Sequence, residues 1–166
     1  MAASWKVTQP GFIGAQPITD VSTTKNHQLG TIVKASDTGD DDRGDGEFIY
    51  LQGVASTVAG DAVLYNADDY STTRVTADGI GPIAIAMAAT VASTYGWYQI
   101  QGKGSVQVSA GFPDNANCYL TDTAGEIDDE DDDGDFVSGM KGASAVSGGV
   151  ADMELSRPFV RDGLDN

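Results

Sequence analysis

The chain has 166 residues, of which 40% are hydrophobic and 8% aromatic, enough for one domain with a modest core of small aliphatic side chains. Its formal net charge is -16, from 25 acids, 9 bases and one neutral histidine. No basic stripe exists to displace counterions from nucleic-acid phosphates or to bind anionic lipid headgroups, so neither nucleic acid nor a membrane is expected as a partner.

The acidity is local. Residues 37–47 hold six acids and one arginine, residues 126–135 hold eight acids and no base, and the remainder is close to balanced. Cys118 is the only cysteine, so one chain can form neither a disulfide nor a thiolate metal cluster, and a small buried residue is the expected role. The start, "MAASWKVTQP", lacks the apolar stretch of a secretory signal. The longest apolar run, "IAIAMAATVA" from Ile83 to Ala92, is far short of a bilayer span. A soluble protein made in a cytoplasm is the expectation.

In chain order, residues 1–29 show little periodicity and are punctuated by Pro10, Gly11, Gly14 and Pro17, which disfavour helix. Trp5, Phe12, Ile13 and Ile18 are apolar anchors, so this segment reads as an extended arm that must lie on its own domain or on a neighbour. Residues 30–166 read as a single β-rich domain. "LGTIVKAS" and "GEFIYLQGVAS" are β-branched and aromatic runs of strand length on either side of the first acidic loop. "AGDAVLYNADD" predicts a turn at Gly60-Asp61 and a strand from Ala62 to Tyr65, and "STTRVTADG" a strand that turns at Asp78-Gly79. In "IGPIAIAMAATVA", Pro82 and the alternation of Ile83 and Ile85 favour a strand over the helix its alanines would suit.

"YGWYQIQGKGSVQVSAG" alternates cleanly, and Gly102-Lys103-Gly104 predicts a hairpin turn within it. "ANCYLTDTAG" gives another strand before the second acidic loop. "FVSGMKG", "ASAVSGG" and "VADMELSRPFV" follow as strands, the last with Ala151, Met153 and Leu155 on one face. Strands at intervals of roughly ten residues, without an amphipathic helix, predict an all-β fold, a small barrel or sandwich with an extended N-terminal arm.

Few residues carry chemistry. The one histidine, His27, lies in the arm with no nucleophile beside it, and a structural role is expected. No phosphate-binding glycine loop occurs, and "RGD" at Arg43 to Asp45 is three residues inside an acidic loop. Asp129, Asp131 and Asp133, followed by Gly134, match the opening of an EF-hand loop, but Met140 stands where the bidentate glutamate belongs. These three aspartates are the candidate ligands for a loosely held calcium ion; otherwise no cofactor is expected. An enzyme is not expected.

The order of "GDAVLYNADDYSTTRVTADGIGPIAIAMAAT" and then "YGWYQIQGKGSVQVSAG", behind an extended apolar arm, resembles the decoration (cement) proteins of tailed-bacteriophage heads and related head-fibre base domains. The resemblance covers residues 29–111. It implies a structural virion protein on the outer surface of an icosahedral capsid, with the major capsid protein as partner and a homotrimer as its own assembly. Trp5, Phe12, Ile13 and Ile18 would then form a shell-binding arm, and Trp97 or Tyr98 would lie at the contact between copies. The rival readings are a carbohydrate-binding or adhesive head-fibre β-domain with Trp97 and Tyr98 exposed, and a calcium-dependent structural module.

Overall fold

The computed structural model describes residues 4–131 and 135–161. Among them are twelve strands and no helix. They are β1 (Trp5–Val7), β2 (Val21–Ser22), β3 (Ile32–Asp37), β4 (Asp45–Gln52), β5 (Ala62–Tyr65) and β6 (Thr72–Arg74), followed by β7 (Gly81–Ala86), β8 (Tyr95–Gln107), β9 (Asn117–Leu120), β10 (Ile127–Asp128), β11 (Phe136–Gly142) and β12 (Val150–Val160). The all-β expectation holds. The strands form one sheet with the main order β1-β3-β4-β8-β7-β12-β11-β9-β10, and β2, β5 and β6 branch from it. Every ladder between these strands is antiparallel, and the sheet stays open rather than closing into a barrel.

The expected turn at Gly102-Lys103-Gly104 does not form. β8 runs through it as one strand of 13 residues. Its first half pairs with β4, from Gln52 opposite Tyr95 to Glu47 opposite Gln101. Its second half pairs with β12, from Ser156 opposite Gln101 to Val150 opposite Gln107. Gln101 therefore has a partner on both edges. The glycines permit a bend rather than a reversal: Gly102 sits at φ +100°, and a Cβ there would lie 2.5 Å from the Asp45 carbonyl oxygen. The buried Gln99 amide donates to the carbonyls of Gln101 and Lys103, at 3.1 and 3.2 Å, satisfying backbone that the bend takes out of register.

The segment "ASAVSGG" is likewise a connection between β11 and β12 rather than a strand. The strand assignment for "IGPIAIA" is realised as β7. In β12, Ala151, Met153 and Leu155 are buried as the alternation predicts.

β4 and the first half of β8 are covered on both faces, so residues 48–51 and 97–100 are buried without a break. On one face Ile49, Leu51, Tyr98 and Ile100 pack with Val63, Ala84 and Ala86 from β5 and β7. On the other, Phe48, Tyr50 and Trp97 pack with Val33 and Ala35 from β3 and with Ile18, Trp5 and Phe12 from the N-terminal segment. A third and larger cluster, including Val106, Leu120, Ile127, Val137 and Met153, fills the half built from β8 through β12. Cys118 belongs to it, fully buried, and burial pushes its thiol pKa up to about 12.

Candidate functional site

Residues 4–22 are a layer of the domain. β1 pairs with the outer edge of β3, Trp5 opposite Asp37 and Val7 opposite Ala35, and β2 pairs with the start of β8. Trp5 meets Phe48 edge-on with ring centroids 4.9 Å apart. Phe12 packs on His27 and Trp97, and Ile18 is 2% exposed. Of the four residues expected to anchor an arm to another protein, Trp5, Phe12 and Ile18 are thus committed to their own domain. Only Ile13, 95% exposed, is free to meet a partner.

Gln16 fastens this layer. Its backbone N–H donates to His27 Nε2 at 2.9 Å, and its carbonyl accepts the Trp97 indole N–H at 2.8 Å. Its side-chain oxygen accepts from the Tyr50 hydroxyl (2.8 Å) and the Asn26 amide (2.9 Å). Its side-chain nitrogen donates to the carbonyls of Asp20 and Tyr95. The His27 ring stands among Phe12, Tyr50 and Trp97 at centroid distances of 5.2, 5.0 and 5.4 Å. Burial lowers the His27 pKa below its ordinary value and raises that of Tyr50. The structural role expected for His27 is what this geometry gives it.

Trp97 and Tyr98 are 1% and 0% exposed, so they form no contact between copies and no sugar platform. The alternation placed them on opposite faces, as expected, but both faces are covered from within the chain. The outward apolar surface lies elsewhere. Phe136 of β11 faces Tyr119 of β9, Ser138 of β11 faces Phe159 of β12, and Phe159 faces Pro82 of β7. Paired residues share a face, so these side chains form a row across four strands. Phe136 is 42% and Phe159 38% exposed; the Tyr119 and Phe136 rings touch at 5.7 Å, and the Arg161 guanidinium lies over Phe159. The alternation of Phe136 and Ser138 against the buried Val137 was the sequence signal for this row.

The first acidic loop is pinned at its centre. β3 ends at Asp37 and β4 begins at Asp45, so two of the acidic positions lie in β4. The Asp37 carboxylate accepts from the backbone N–H groups of Ser4, Gly39 and Arg43, which hold its pKa below the ordinary value against the opposing effect of burial. Arg43 reaches Asp152 of β12 at 3.0 Å and Asp41 at 3.7 Å, and only 12% of its side chain is exposed. Asp45 hydrogen-bonds Ser36 across the hairpin. Within the Arg-Gly-Asp tripeptide, Gly44 and Asp45 are exposed while the Arg43 side chain is tied to Asp152.

In the second acidic run, Ile127 and Asp128 form β10, with Ile127 buried. Asp129 is half-buried and Asp131 exposed, while Asp133, the third calcium candidate, lies outside the described residues. Among the described residues, no three histidine, cysteine, aspartate or glutamate side chains converge as a metal site.

Asp61 in "GDAV" has a structural role beyond its turn. This carboxylate is 1% exposed and accepts from Arg74 Nε at 2.7 Å and from the Val58 backbone N–H at 3.0 Å. It joins the turn before β5 to β6 and so fixes that branch of the sheet. No protein-family model matches the chain, and no curated protein matches it.

Proposed function

We propose that the chain is a structural decoration protein of a bacteriophage head, bound to the outer surface of the major capsid protein as a trimer. The motif order behind the resemblance supports this reading, since "GDAVLY", "GPIAIA" and the "YGWYQIQ" half of β8 are hydrogen-bonded neighbours, β5 to β7 to β8. The observation that carries it is the row of Tyr119, Phe136, Phe159 and Pro82 on an open sheet face. An apolar surface on so acidic a chain marks a place where another protein sits.

The row is the self-contact of the trimer, and Ile13 on the N-terminal layer faces the shell. Binding only to the assembled shell stabilises it by mass action, multiplied over its many sites, without any bond being made or broken. The acidic loops would face solvent and limit association between particles.

Quantitative mass spectrometry of purified particles tests the reading. A copy number comparable to that of the major capsid protein is expected, and absence from the particle would overturn it. The same exposed row favours carbohydrate binding as the second reading, because aromatic faces stack on sugar rings. A particle-borne copy number of a few, with glycan binding lost in Phe159→Ala, would establish that role instead.

A further inference from the structure

Residues 8–20 are fastened to the rest of the domain by the Gln16 hub, by Phe12 and Ile18 in the core and by the Thr8 N–H bonded to the Lys34 carbonyl, and the hub includes the chain's single histidine. Of the groups that bond Gln16, His27 alone changes its hydrogen-bonding sense between about pH 7 and about pH 5. A neutral imidazole accepts the Gln16 N–H at Nε2 and carries its proton on Nδ1. Protonation places a second proton on Nε2, so two N–H groups then face each other across 2.9 Å. The Gln16 backbone donor, held inside a residue only 7% exposed, loses its acceptor.

The elements packed on the ring offer no carboxylate to hold the added charge. Phe12 comes from the N-terminal layer, Tyr50 from β4 and Trp97 from β8. The titratable groups of those strands beside the hub are the phenols of Tyr50 and Tyr95, and the nearby charged residues of the segment, Asp20 and Lys25, are exposed.

We propose that His27 is an acid-operated latch: the neutral ring completes the fastening of residues 8–20 to the domain, and the protonated ring loosens it before the sheet unfolds. The sign follows from burial. Because the folded-state pKa lies below the ordinary 6.5, the hub is fully closed above that value and opens as pH falls from it toward the lowered one. The ladders among β3, β4, β8 and β12 contain no histidine and do not share this dependence.

Hydrogen exchange of the full chain at about pH 7 and about pH 5, corrected for intrinsic rates, tests the latch. Protection of residues 8–20 is expected to fall by up to tenfold per pH unit within the titration window, while protection of β8 holds. In His27→Gln, whose side-chain oxygen still accepts but does not titrate, the protection should stay flat. An equal fall in that variant, no fall in the native chain, or simultaneous loss across β8 would each overturn the proposal. A second readout needs no variant: the Trp97 indole N–H resonance, bonded to Gln16, must titrate with the midpoint of the His27 ring itself, and separate midpoints would refute the coupling.

Discussion

Asp61 and Arg74 show how a motif that looked like family style has a physical reason. The carboxylate is sealed from water and has one cationic partner, whose own side chain is 27% exposed. Removing that partner leaves a buried charge uncompensated, which costs about 3–5 kcal/mol for a fully buried pair and less here because Arg74 is partly solvated. Arg74→Ala is expected to lower the unfolding free energy by about 2–3 kcal/mol in urea titrations, and adding Asp61→Leu should recover much of that loss. Loss of the same size in the double variant would show that Arg74 acts through packing alone. At this scale the sequence was informative about types and poor about partners. A lone cysteine in an apolar run reads as buried because hydrophobic context is local. The Gln16 hub could not be read, since its partners Tyr95 and Trp97 lie 79 and 81 positions away and no periodicity links them.

Strands were the most legible elements. Ala62 to Tyr65, the Phe136 run and the alternation in β12 all appear where period-two patterning put them. Two failures have one cause: glycine marks a departure from regular backbone without saying whether the chain reverses. At Gly102 it bends a continuous strand, and at Gly148-Gly149 it belongs to a true connection. The difference lies in what neighbours do, because β4 and β12 between them pair the length of β8. Gly102→Ala should therefore be far costlier than Gly44→Ala. Both sites have positive φ, but only at Gly102 would the new methyl meet a carbonyl, at 2.5 Å, whereas nothing lies within 4 Å at Gly44. Losses of about 3 kcal/mol against about 1 kcal/mol are expected from denaturant midpoints, with equal losses counting against a close-packed bend. Between the two places open to the N-terminal segment, its own domain or a neighbour, the sequence could not choose, because a strand of three residues carries too short a pattern to read.

For the whole molecule, a charge of -16 on 166 residues makes the folded state repel itself. Raising sodium chloride from about 0.01 M to about 1 M shortens the screening length from about 30 Å to about 3 Å. Calorimetry should then show the melting temperature rising by about 2–4 °C, the shift that about 1 kcal/mol produces in a domain of this size. A flat response would mean that the pinning of the first acidic loop by Arg43 has already relieved the repulsion. Calcium chloride at matched ionic strength should give the same rise, and an excess with calcium would show that the folded chain binds the ion. The positions of the acids along the chain revealed this charge pattern, and strand spacing the all-β class. The exposed row stayed hidden because a face is shown to be outward only when the other side is known to be full.

β12 is the last strand in the described sequence, yet it lies inside the sheet, between β7 and β11, and also hydrogen-bonds the second half of β8. During synthesis on a ribosome, β8 emerges about fifty residues before the partner that completes it, with the unpaired edge of its second half available to any passing chain. The domain must therefore close after residue 160 has left the exit tunnel, in one late step rather than strand by strand. Such a nascent chain depends on its own speed of closure, or on a chaperone, to avoid pairing with its neighbours on the same message.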